Sequence, residues 1–216
     1  DGFHVWSETY DRELKGVFAL QDEIAGRIGA QLQTSLGVAV APTARTPIPP
    51  EAYDDYLKGR ALYRKRQSLM QALAYFDSAV ERAPEFAAGW ASLALTYETV
   101  HGYVTPAEVA SLGDIGARLR STSERAIALE PGSAMSLHVQ GNLARADFRY
   151  AEAERLYRQA MAVDPTYPDV REDLAQLYNI VGRNEDAVVE VRKLVALEPF
   201  VANFWMPLLQ GGISLD

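Results

Sequence analysis

From Glu51 onward, apolar residues come in bursts at three- and four-residue spacing, and each burst runs into a proline with the same neighbours before it. Ala79 leads to Pro84, Ala126 to Pro131, Ala160 to Pro165, and Leu194, in place of the alanine, to Pro199. Pro131, Pro165 and Pro199 are spaced 34 residues apart, a period that suits a solenoid of stacked helix pairs. Ahead of each proline stand Phe76, Ser123, Tyr157 or Val191, and a turn earlier Ala72, Leu119, Ala153 or Ala187. That spacing puts them on one helix face, and the proline ends the helix because its ring cannot continue the hydrogen-bond ladder. The pattern predicts an all-α fold in which one antiparallel helix pair is copied four times.

One interval is longer. Pro84 and Pro131 are 47 residues apart, so the second copy carries 13 additional residues. Thr105-Pro106-Ala107-Glu108 has the residues of a helix start: a capping hydroxyl, a first-turn proline and a carboxylate three positions after the cap. With no strong stop before Pro131, the expectation is a lengthened second helix that protrudes as one rod. Gly113 and Gly116 are the positions where it would break or bend.

The amino-terminal segment follows a different rhythm. Phe3 to Tyr10 alternates aromatic and β-branched with polar residues, which reads as a strand without a partner. Val17, Leu20, Ile24, Ile28 and Leu32 form the stripe of an amphipathic helix, and Ala39 to Pro50, with four prolines, reads as an extended linker. An orphan strand implies an α/β domain whose other strands lie upstream of Asp1. Its unpaired edge, with Phe3, Val5 and Trp6, is expected to pair with the same strand of a second chain or to dock on the repeats.

The repeated unit resembles the tetratricopeptide repeat. The third copy carries its pattern as Leu137, Gly141, Ala144, Ala153, Tyr157, Ala160 and Pro165, and the first as Tyr56, Tyr63, Ala72, Phe76, Ala79 and Pro84. The second opens with Trp90, Leu93, Ala94 and Tyr97, and the fourth gives Leu174, Ala175, Tyr178, Gly182, Ala187 and Pro199. Three positions depart from the pattern: Arg60 where a small residue belongs, Ser123 where an aromatic does, and Arg171 where a large apolar one does. The resemblance implies a right-handed superhelix over 51–216, with repeats at about 53–86, 87–133, 134–167 and 168–201 and a partial fifth at 202–216. In that fifth copy Phe204, Trp205 and Leu208 are expected to be partly exposed or covered by a neighbouring molecule, and the parent protein is expected to continue with further repeats.

Gly2-Phe3-His4-Val5-Trp6-Ser7-Glu8-Thr9-Tyr10 and Val17-Phe18-Ala19-Leu20-Gln21-Asp22-Glu23-Ile24-Ala25 resemble the closing strand and helix of a TolB-like domain. Residues 1–37 would be its carboxy-terminal remnant and 38–50 a linker. In bacterial proteins of this kind, tetratricopeptide repeats follow such a domain, and the amino-terminal half is a class III adenylate or guanylate cyclase, a winged-helix DNA-binding domain or a protein kinase. A bacterial cytoplasmic location is the matching expectation.

Composition narrows the function. The 216 residues are 48% apolar, enough for a core, and carry a net charge of −8, which argues against neutralising nucleic-acid phosphates. No apolar run is long enough to span a membrane, and Asp1-Gly2-Phe3 is neither an initiator methionine nor a signal peptide. There is no cysteine, and His4, His101 and His138 are far apart, so no metal or other cofactor is expected. Asp22-Glu23 and Asp54-Asp55 are adjacent positions on helices, pointing to different sides, so they form no acid/base pair and no catalytic role is expected.

A binding module remains. The family's ligand-facing first-helix positions map to Asp54, Leu57, Ala61, Arg64 and Lys65 in the first copy and Ala88, Ala91, Leu95, Glu98 and Thr99 in the second. They map to Met135, His138, Asn142, Arg145 and Ala146 in the third and Asp169, Glu172, Gln176, Asn179 and Ile180 in the fourth. The expected groove is apolar or neutral in the middle and acidic toward the fourth repeat, with Asn142 able to bond a peptide backbone through its amide. Family members that clamp a chaperone's terminal carboxylate use a lysine and an asparagine in one repeat, an asparagine in the next and two basic residues in the third; here those positions hold Ala91, Leu95, Val139, Asp169 and Asp173, which supply no cation, so that ligand is not expected. The reading is a protein-interaction module that binds a peptide segment or self-associates. The alternatives are the regulatory part of a nucleotide cyclase whose catalytic domain lies outside this chain, and the dimerisation arm of a winged-helix regulator.

Overall fold

The computed structural model describes residues 46–66 and 68–197, and the chain divides into two units, Asp1–Pro50 and Glu51–Asp216. The expected strand at Phe3–Tyr10, the helix at Val17–Leu36 and the fifth-repeat residues Phe204 and Trp205 lie outside the described residues.

The second unit is built of helix pairs: α1 (Pro50–Arg64) with α2 (Leu69–Arg82), α3 (Ala87–Thr99) with α5 (Ile115–Leu129), α6 (Ala134–Ala146) with α7 (Tyr150–Val163), and α8 (Asp169–Ile180) with α9 (Asn184–Leu197). A short α4 (Pro106–Ser111) intervenes in the second pair. Helix α2 shows why the bursts fold this way: Leu69, Ala72, Leu73, Phe76, Ala79 and Val80 are its buried residues, a single stripe at helical spacing. The residue before Pro84, Pro131 and Pro165 is extended in the same manner. Ala83, Glu130 and Asp164 have φ of −134°, −142° and −133°, and each still donates its N–H to the carbonyl of Ala79, Ala126 or Ala160. Proline disfavours the helical conformation at its predecessor, so the first three copies stop at the same place.

Small residues let the paired helices close. A Cβ on Gly141 would lie 2.6 Å from Tyr157 Cδ1, and one on Gly59 2.6 Å from Phe76 Cε1. The small position of the first copy is therefore Gly59, and Arg60 is not a departure there. The α1–α2 turn spans four residues, Lys65–Ser68, where the α6–α7 turn spans three, Asp147–Arg149. The additional residue slides α1 by one position against the proline register. Arg66 and Ser68 carry it in left-handed conformations, with φ of 51° and 52°. In the second copy Ser123 is fully buried at the aromatic position, its hydroxyl without a hydrogen-bond partner among the described residues.

The insertion does not form one rod. Thr105 and Glu108 make the reciprocal capping box, with Thr105 N–H donating to Glu108 Oε2 at 2.8 Å, but α4 ends after two turns. Gly113 then takes φ of 71°, and Asp114 starts α5 by accepting from Ala117 N–H at 2.9 Å. A glycine in the left-handed region followed by a capping aspartate is a stronger signal than the lack of a proline. No helix among the described residues is long and apolar enough to cross a membrane.

Candidate functional site

The first helices of the four pairs border a cleft of about 310 Å³, lined by Tyr63, Arg66, Glu98, Thr99, Tyr103, Arg145, Asp169, Glu172, Asp173 and Gln176. The array curls tightly enough that its first and fourth copies meet. Arg66 Nη2 donates to Glu172 Oε2 at 3.1 Å, across 106 positions of sequence, and both side chains are buried. The Arg66 guanidinium also stacks 4.2 Å from the Tyr63 ring centroid and donates to the Tyr63 carbonyl at 3.2 Å.

A second ion pair, Arg145 with Glu98, joins α6 to α3. Behind it lies a buried polar network. Asn142 Nδ2 donates to Glu98 and, at 3.0 Å, to Asp173 Oδ2, while its Oδ1 accepts from the Tyr157 hydroxyl at 2.6 Å. His138 Nε2 sits 2.6 Å from Asp173 Oδ2 and its Nδ1 2.8 Å from the Tyr167 hydroxyl. An ionised Asp173 accepts from Nε2, which is the donor in that bond.

The electrostatics follow from burial. Loss of solvent, reinforced by the Asp173 charge, pushes Glu98 up to about 7 despite Arg145. Loss of solvent likewise pushes Glu172 up to about 8 despite Arg66. Burial opposes ionisation of Asp173 as well, but hydrogen bonding and charge from His138, with Arg145 and Asn142, prevail and hold it at about 2. The described residues contain no group of three or more His, Cys, Asp or Glu side chains placed to hold a metal ion.

The residues mapped from the sequence divide into three sets. Glu98, Arg145 and Gln176 line the cleft. His138 and Asn142 lie behind it with their polar atoms committed to the network, so Asn142 is not the free amide that the sequence reading made it. Leu95 is core, 3% exposed, because α3 is buried almost all round. Arg64 and Lys65 are exposed and lie outside the lining, as does Asn179. Tyr63 faces the cleft in place of Arg64, as the one-residue slide of α1 requires, and Arg66 reaches it from the turn that follows α1. The groove is charged through its middle, where an apolar or neutral stretch was expected; alternating acids and arginines in separate copies gave that no visible motif.

A tetratricopeptide repeat family model matches residues 144–206. Among solved structures, a thermophilic TPR protein of Thermus thermophilus is 19% identical with a TM-score of 0.54, over 90% of this chain and 93% of that one. PilW, a type IV pilus biogenesis factor, is 17% identical with a TM-score of 0.51, over 76% of this chain and 71% of its own. The helix pairs therefore form an array with the tetratricopeptide-repeat fold. A relative named "Putative adenylate cyclase 3", from Rhizobium meliloti (strain 1021), is 35% identical over 98 residues, which are 44% of this chain and 17% of that relative. The chain thus spans a small part of the relative that it matches.

Proposed function

We propose that the array is the non-catalytic interaction arm of a longer bacterial signalling protein, binding a segment of a partner protein in the cleft between its first helices. The repeat fold supports this, since stacked pairs present a continuous concave surface. The observation that carries it is the cleft itself, bordered by side chains from all four copies and holding buried charge that a purely structural face has no need to keep. The likeness to a cyclase-named relative, together with the TolB-like resemblance of residues 1–37, supports a parent that resembles a nucleotide cyclase. Catalysis would then reside outside this chain.

The reading is tested with a random-peptide display library panned on the immobilised protein and on Gln176→Trp, which fills the cleft. Peptides enriched on the wild type and lost on Q176W are the expected result. Absence of enrichment, or enrichment indifferent to Q176W, would refute it.

A further inference from the structure

The cleft holds one acid that the network leaves out. Asp169, the first residue of α8, lines the cleft, is 8% exposed, and has no hydrogen-bond or ion-pair partner among the described residues. Every neighbouring cation is committed elsewhere. Arg66 is held by Glu172, Arg145 by Glu98, and Arg60 donates to the Tyr56 hydroxyl at 2.9 Å, feeling the Asp169 charge without forming an ion pair with it. Asp173 already has His138 and Asn142. A carboxylate withdrawn this far from water is costly unless a positive group meets it, and the cavity beside it remains open to solvent and large enough to admit a long side chain.

Resting on the reading of the cleft as a protein-binding site, we infer that Asp169 is the anchor of a subsite for one basic side chain, an arginine or lysine, of the bound segment. A guanidinium suits the place better than an ammonium, because its planar fork donates two parallel bonds to a carboxylate and its face stacks on an aromatic ring, here the exposed Tyr103. Glu98 and Glu172 line the same cleft. Both are already paired, so the entering cation meets Asp169 first.

The test takes the peptides enriched by display and resynthesises each with citrulline for arginine, or norleucine for lysine, measuring affinity by titration calorimetry on the wild type, Asp169→Asn and Asp169→Glu. The enriched peptides should share a basic residue. Its neutral replacement and D169N should each weaken binding about tenfold to a hundredfold, the loss of one charge-assisted hydrogen bond, and D169E should recover most of it. The neutral peptides leave the protein untouched, so they decide the matter even if D169N is destabilised. Enriched peptides without a common basic residue, or indifferent to its replacement, overturn this subsite and leave the binding cleft standing. A library that yields no peptide dependent on an open cleft overturns the cleft reading and this inference with it.

Discussion

Replacing Gly141 by alanine pits two effects of opposite sign. Alanine in a helix interior is favoured over glycine by about 1 kcal/mol, because glycine loses more backbone freedom on folding. The new methyl, however, lands 2.6 Å from Tyr157 Cδ1 and 3.2 Å from Cζ, so the ring or the helix must move. Tyr157 cannot retreat cheaply. It is fully buried, donates to Asn142 at 2.6 Å, accepts from Arg145 Nε at 3.3 Å and packs edge-on against His138 with centroids 5.8 Å apart. Overpacking of this kind costs about 1–3 kcal/mol, and a displaced hydroxyl forfeits a buried hydrogen bond worth about 1–3 kcal/mol more. The clash should win, leaving Gly141→Ala less stable by about 1–5 kcal/mol once the helix gain is subtracted. Gly116 is the control: it lies in α5, and its nearest neighbour to a new Cβ is Asp114 Oδ1 at 3.4 Å. Gly116→Ala should therefore stabilise by about 0.5–1 kcal/mol. Urea denaturation followed by far-UV circular dichroism reads both, at an unchanged slope. A Gly141→Ala midpoint at or above the wild type would show that the helices part without penalty, and the close approach would not hold the pair together.

Gly113→Ala distinguishes two shapes of the insertion: with φ of 71° and open space around it, the change should cost about 1 kcal/mol, whereas a continuous helix would be stabilised by about that amount. Asn142→Ala should destabilise the array by about 1–3 kcal/mol, since it strips bonds from Glu98, Asp173 and Tyr157, in contrast to an amide held free for a ligand; an unchanged melting curve would contradict the network. Glu172, pushed up to about 8 by burial, binds a proton in the folded state that it releases near 4.5 when unfolded, so its contribution is full below pH 4.5 and is lost as pH rises through 8. The stability of Glu172→Gln relative to wild type should accordingly improve from pH 5 to pH 9, and a constant difference would refute the assignment. Asp173, held at about 2, acts in the opposite sense: its stabilisation is present above 3.8 and lost as pH falls toward 2, so Asp173→Asn should narrow its deficit to wild type on acidification, as melting across pH 5 to 2 would show.

Helix ends, the order of pairs and the core stripes were legible in the sequence because they rest on local physics. Pro84, Pro131 and Pro165 act on the residue just before them, and Leu69, Leu73, Phe76 and Val80 share a face whatever they pack against. Gly113 was legible too, but its strength as a stop depends on Asp114 capping the next helix, and the absence of a proline was weighed above it. The slide of α1 could not be read from spacing. Arg60 falls at the small position by count, and only the turn at Lys65–Ser68, with two residues in left-handed conformations, brings Gly59 against Phe76 instead. That step puts Tyr63 in the cleft where Arg64 was expected, while the left-handed turn itself carries Arg66 there. The meeting of Arg66 with Glu172 is likewise a tertiary decision. Each pair fixes only a small rotation on its neighbour through the shapes of side chains at their contact, and the sum over four pairs, which no local pattern encodes, sets which charges are buried together.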